Sequence, residues 1–165
     1  MKENICCFTG HRKINPELFP QIRIAVNKVI HSLIEKGVTE FRCGGARGFD
    51  TICAQEVIKL KRRGFPIKLV LMLPCRDQTL NWSNTEKMAY EVIKCAADDI
   101  HYTTQFYEEG CMLRRNRALL AGSFYCVCYL TQSSGGTAYT VRLAKNQGLR
   151  LINVAEMIDR SAFDA

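Results

Sequence analysis

No apolar run in this chain approaches the length of a membrane span. The longest purely aliphatic stretch is Leu69 to Leu73, against the roughly 20 residues a helix needs to cross a bilayer. The opening segment MKENICCFTGHR has no apolar core, so no signal peptide is expected and the chain is expected to be cytoplasmic. Nine cysteines are present, an odd number with no C-x-x-C pair. That pattern does not describe a disulfide framework or a zinc site, and no metal is expected. Cys6, Cys7, Cys126 and Cys128 fall inside apolar runs, where cysteine acts as a small hydrophobe. There is also no internal repeat, low-complexity tract or linker. The 165 residues are therefore expected to form one domain, with 160–165 as a fraying tail.

What is present is an ordinary globular balance of 47% hydrophobic and 24% charged residues, with a net charge of +7. The charge is unevenly spread. Residues 1–82 hold 14 Lys and Arg against 7 Asp and Glu, whereas residues 83–165 hold 9 of each. An excess confined to one half suits an anionic ligand or nucleic acid. A structural account also exists for part of it. Lys59, Lys61, Arg62 and Arg63 stand together at an expected helix C-terminus, where cations complement the helix dipole.

Apolar periodicity switches between two kinds of segment. Short β-like runs occur at Ile5–Phe8, Thr39–Cys43, Ile67–Leu73, 99–103, Phe124–Leu130 and Leu149–Val154. Between them lie helical patterns, the first opening at Asn15-Pro16 and closing at Gly37, the others near 50–63, 83–96, 110–121 and 137–147. Six strands alternating with five helices predict an α/β fold: a mainly parallel sheet covered on both faces, with right-handed crossovers. In such sheets ligands bind beyond the carboxyl ends of the strands, so the loops that follow each strand are the candidate site.

Four of these loops carry chemistry. In the first, Thr9-Gly10-His11-Arg12, glycine is expected to permit a positive φ, Arg12 offers a planar fork for phosphate or carboxylate, and His11 titrates near neutrality or donates a hydrogen bond. In the second, Gly44-Gly45-Ala46-Arg47-Gly48-Phe49-Asp50, the glycines would let backbone N–H groups approach a ligand at a helix start. The run is neither G-x-G-x-x-G nor a Walker loop. Asp50 either caps the helix or accepts hydrogen bonds from ribose hydroxyls. In the third, Ser133-Ser134-Gly135-Gly136-Thr137 is either an anion cradle at a helix N-terminus or a capped glycine turn. In the fourth, Arg114, Arg115 and Arg117 surround Asn116 near a helix start, where the dipole disfavours cations unless an anion or partner carboxylate faces them. Trp82, the only tryptophan, stacks on a base or plugs the core.

Taken in order, TGHR, GGARGFD, Arg115-Asn116 and Gly135–Thr137 resemble the YpsA-like branch of the SLOG superfamily, which includes the Lonely Guy phosphoribohydrolases and DNA-processing protein A. The resemblance covers about residues 4–153. It implies a Rossmann-like three-layer α/β/α sandwich, with a nucleotide or nucleotide derivative (ADP-ribose, NAD or a nucleoside monophosphate) at the sheet edge. It also suggests a homodimer. Gln78 and Trp82 resemble positions of this branch too. One departure stands out: Lonely Guy enzymes carry G-G-x-G-T-x-x-E, and here Gly135-Gly136-Thr137-Ala138-Tyr139-Thr140 has no acid in the next turn, the nearest downstream being Glu156 on another segment. Glycosidic cleavage wants a carboxylate at the bond, which leaves Asp50, Glu108 and Glu109 as candidates.

The expected function is nucleotide binding or sensing, through Thr9, Gly10, His11, Arg12, Gly44, Gly45, Arg47, Asp50, Arg115, Asn116, Ser134, Gly135, Gly136 and Thr137. The alternatives are phosphoribohydrolase activity and single-stranded DNA binding. Nucleic acid is the less favoured partner, because basic residues interleaved with exposed aromatics are few.

Overall fold

The computed structural model describes residues 2–162. Six strands alternate with five α-helices: β1 (Ile5–Gly10), α1 (Phe19–Glu35), β2 (Glu40–Cys43), α2 (Phe49–Arg62), β3 (Lys68–Leu73), α3 (Asn84–Ala96), β4 (Asp99–Tyr102), α4 (Cys111–Leu120), β5 (Tyr125–Tyr129), α5 (Gly136–Asn146) and β6 (Arg150–Asn153). Of the expected tail, residues 163–165 lie outside the described residues. Just before it, the Asp159 N–H donates to Gln21 Oε1 at 3.1 Å, tying the chain back to α1.

The strands form one sheet in the order β4-β3-β2-β1-β5-β6, and every neighbouring pair is parallel. The fold is Rossmann-like. From β1 the chain steps outward through β2 and β3 to β4, then returns to the far side of β1 with β5. Register pairs Thr9↔Cys128 and Gly10↔Tyr129 bring β1 and β5 to a common end. From there the two connections leave on opposite faces, which opens the crevice expected where strand order reverses.

Right-handed crossovers put α1, α2 and α3 on one face and α4 and α5 on the other, and the helices on each face pack against one another. The first face carries the larger core, with Phe8, Ile22, Leu33, Phe41, Phe49 and Leu69. The second face is thinner, with Cys7, Leu119, Leu120, Cys126, Ala144 and Leu149. Strand side chains alternate between faces. Thus Cys6 joins the larger core and Cys7 the smaller, and small thiols fill the thin layer.

One helix start differs from expectation. Asn15 accepts from the Glu17 N–H at 3.0 Å, but it caps a short 3-10 turn over Pro16–Leu18. Helix α1 itself begins at Phe19, with Pro20 in its first turn. Proline is tolerated at a helix start and not within one, so Pro20 moves the start three residues on, from Pro16 to Phe19. Ser83 caps α3 through a reciprocal capping box with Glu86. Among the described residues no helix is long and apolar enough to cross a membrane.

Candidate functional site: a cleft where strand order reverses

The β1 and β5 connections, the start of α2, and α4 enclose a cleft of about 490 Å³. Its floor is Phe8 and Leu119, and its rim takes in Thr9, Gly10, His11, Arg12 and Lys13. Ala46 and Asp50 come from the β2–α2 region, Arg115 and Asn116 from α4, and Ser134, Gly135, Gly136, Thr137 and Thr140 from α5 and the loop before it.

Asp50 and Arg115 are the charged pair at its base, 6% and 4% exposed respectively. Asp50 does not cap α2, whose N-cap is Gly48 with no side-chain hydrogen bond. Instead its Oδ2 accepts the Ala46 N–H at 3.1 Å and braces the glycine loop from inside. Burial pushes the Asp50 carboxyl up to about 6, outweighing the opposing pull of Arg115, of the Ala46 N–H and of Arg12. Arg115 donates through Nη1 to Gly44 O and through Nε to Asn116 Oδ1 at 2.8 Å. Its guanidinium is desolvated, which lowers its pKa despite Asp50.

Arg12 reaches the same spot from the β1 loop. Arg12 Nη2 and Arg115 Nη2 both lie 4.0 Å from the Met112 sulfur. Neither guanidinium is in an ion pair within 4.0 Å among the described residues. Two like charges from elements about a hundred residues apart therefore converge on a neutral thioether, with the buried Asp50 carboxyl in electrostatic reach of both. Such an arrangement favours an added anion.

The α5 terminus faces them. Its N-cap is Gly135, at φ 99°, with no side-chain cap, so its first N–H groups are not claimed by a Ser or Thr. A Cβ added at Gly135 or Gly136 would meet nothing within 4 Å, which is open space at a helix N-terminus. Thr140, one turn on, turns its hydroxyl to Gly136 O at 3.0 Å. His11 holds the two loops together, its Nε2 accepting the Thr131 N–H at 2.9 Å. That bond needs a neutral imidazole, and burial lowers the His11 pKa accordingly.

The glycines of the first two loops have other work. Gly10 is strand backbone without a positive φ; a Cβ there would overlap the Phe49 ring. Gly44 and Gly45 do not line the cleft. A Cβ on Gly44 would press on Arg115 and Asp50, and one on Gly45, at φ 70°, on Leu73. They let the loop close over the buried charges and leave the approach to a ligand to Ala46.

Arg47 and Trp82 line a second cleft, of about 620 Å³, between the strap at 12–15 and helices α1, α2 and α3. Arg47 lies over the Trp82 ring, 5.4 Å from its centroid, and 3.9 Å from Glu86. Trp82 packs edge-on against Tyr90 at 5.4 Å. Gln78 donates to the Tyr90 hydroxyl at 3.1 Å. Glu108 is exposed and paired with Arg114, and Glu109 is exposed; neither lines the first cleft, whose one lining carboxyl is Asp50. Sequence reasoning passed over Lys13, Gln132 and Thr140, which also line it. Thr140 was within reach, since it stands one helical turn after Gly136.

A parallel sheet whose strand order reverses at β1, with a glycine-capped helix at the reversal point, is the architecture of a Rossmann-like domain. The YpsA model, described as the YspA SLOG family, matches residues 6–160, and the chain belongs to that family. A UPF0398 protein of Halalkalibacterium halodurans is 32% identical over 129 residues, covering 76% of this chain and 68% of its own. A UPF0398 protein of Bacillus pumilus is 25% identical over 152 residues, covering 86% and 82%. Among solved structures, DNA processing protein A of Helicobacter pylori, described for its single-stranded DNA binding mode, superposes with a TM-score of 0.63 at 20% identity over 89% of this chain. The Streptococcus pneumoniae protein of that name does so with a TM-score of 0.66 at 13% identity over 88%. This chain spans 63% and 48% of those two proteins' lengths.

Proposed function

We propose that the first cleft binds a nucleotide or nucleotide derivative by its phosphate and ribose. The observation that carries this is the convergence of Arg12 and Arg115 on Met112, opposite the open N-terminus of α5. A phosphate there meets two guanidiniums and unclaimed N–H groups. Asp50, buried and acceptor-only when ionised, then suits a ribose hydroxyl.

Calorimetric titration with ribose 5-phosphate and AMP tests it. Arg12→Ala should weaken both by ~1.5–3 kcal/mol, while Arg47→Ala, in the other cleft, should leave ribose 5-phosphate unchanged. Equal affinity in wild type and Arg12→Ala removes the arginine from the site. If neither compound binds a folded sample at millimolar concentration, the proposal falls. Cleavage is read separately, as free base released from nucleoside monophosphates. Release that survives Asp50→Asn would exclude Asp50 as its acid.

A second reading, single-stranded nucleic acid, is favoured by one observation. Phe106 and Tyr107, 69% and 61% exposed, stand in the β4–α4 loop at the same sheet edge, beside Arg76 and Arg114. Exposed aromatics among arginines are what base stacking along a strand requires, and DNA processing protein A shares the fold. In a gel shift at near-physiological salt, binding lost on Phe106→Ala and Tyr107→Ala supports it. Binding that only vanishes with modest salt is non-specific electrostatics.

A further inference from the structure

We propose that a groove between α2 and α3, away from the sheet edge, is a docking surface for an acidic amphipathic helix of another protein. Its role is independent of what the sheet-edge clefts bind.

The groove holds about 380 Å³ and meets the second cleft at Arg23, Gln55 and Ala89. From there it runs towards the C-terminal halves of both helices, where Ile58 and Ile93 form its buried floor. Above them on α3 stand Met88 and Val92, 69% and 57% exposed. They are one helical turn apart, at i and i+4, so both project along one face of α3. A single exposed apolar side chain is ordinary on a protein surface. Two in register beside a concave aliphatic floor have the form of a helix-in-groove site. The 13 residues of α3 span about 20 Å, the length of a partner helix of three to four turns.

Charge on the rim selects the partner. Among the described residues, every charged side chain lining the groove is a cation: Arg23, Lys59 and Arg62. One buried carboxylate, Glu56, serves two of them, 3.4 Å from Arg23 and 2.9 Å from Lys59. Arg62 is in no ion pair within 4.0 Å among the described residues. Carboxylates flanking an apolar stripe would neutralise that excess. The floor is aliphatic and offers no ring on which a base could stack, which favours a peptide over single-stranded nucleic acid. A second copy of this chain does not supply the acids. Helices α4 and α5 contain none, α1 has only its last residue, Glu35, and the two of α2, Asp50 and Glu56, are buried. Those of α3 are engaged, Glu86 in the capping box and Glu91 with Lys94 at 3.7 Å.

The probe is a labelled, end-blocked peptide of roughly 14 residues, with Leu at i, i+3, i+4 and i+7 spacing and Glu on both flanks. Its counterpart carries Lys for every Glu. In fluorescence anisotropy with the intact chain, the Glu peptide should bind at least about tenfold tighter than the Lys peptide. Val92→Glu, at an exposed position, should weaken the Glu peptide about tenfold, and Arg62→Glu by a similar factor. Lys145→Glu, on α5 across the sheet, makes the same change in net charge as Arg62→Glu and should leave binding unchanged. The proposal is overturned if the Glu peptide shows no saturable binding at submillimolar concentration, or if the two peptides bind alike. It is equally overturned if Val92→Glu or Arg62→Glu, folded by circular dichroism, binds as wild type does, or if Lys145→Glu loses as much as Arg62→Glu. Sedimentation and vesicle binding of the peptide-free chain separate the other occupants. A dimer that Val92→Glu dissociates would assign the groove to a second copy. Binding to phosphatidylglycerol vesicles that Val92→Glu abolishes would assign it to a lipid surface. Either result overturns the proposal.

Discussion

Gly136 and Gly10 look alike in sequence and do opposite things. Gly136 has ordinary helical backbone with open space where a Cβ would point. Gly136→Ala should therefore leave the urea midpoint within the range of a neutral surface change, about 0.5 kcal/mol, while weakening ribose 5-phosphate if the α5 terminus cradles its phosphate. Unchanged affinity would show that the phosphate does not approach that backbone. Gly10→Ala drives a methyl into Phe49 and should cost about 1–3 kcal/mol of stability as overpacking. Asp50 carries its own signature. Its carboxyl titrates at about 6 in the fold against an ordinary 3.8, so between those values the folded state holds the proton that the unfolded chain has lost. Stability relative to Asp50→Asn should fall as pH rises from about 4 to about 6, by on the order of 3 kcal/mol. Chemical denaturation across that range measures it, and a flat difference would mean that Asp50 is not desolvated.

Among elements, helices and strands were legible because their apolar periods are strong. The β4 strand, exposed along three of four residues, was the weakest in sequence, since an edge strand needs few apolar side chains. Leu33, fully buried in α1, anchors the larger core, and Leu33→Ala should cost about 2–5 kcal/mol; a loss below 1 kcal/mol would mean α1 repacks. The Ser83–Glu86 box at α3 is the kind of signal sequence does carry. The Asn15 cap misled because a second proline, Pro20, sets where α1 can begin. Between elements, His11 clips the β1 loop to the β5 loop. Its pKa lies below the ordinary 6.5, so the clip contributes fully above about 6.5 and is lost as pH falls below it. The stability gap between wild type and His11→Ala should narrow on acidification in that window. A gap that widens there would mean that the imidazolium form is the one bound.

For the whole molecule, the decisive event is the return of the chain to the far side of β1. It carries α4 and α5 back over the strand from which Arg12 emerges. Sequence alone determined the α/β alternation, the loops that fall on the carboxyl edge, and the excess of cations in the first half, because these follow from local period and composition. Tertiary structure decided which loops meet. Arg12 and Arg115 share one cleft, while Arg47, two residues before the start of α2, looks into another. Asp50 turned inward to accept the Ala46 N–H, and Gly44 lends its carbonyl to Arg115, because a buried guanidinium must find an oxygen. No local pattern encodes that partnership: it arises from strand order, which sequence period does not record.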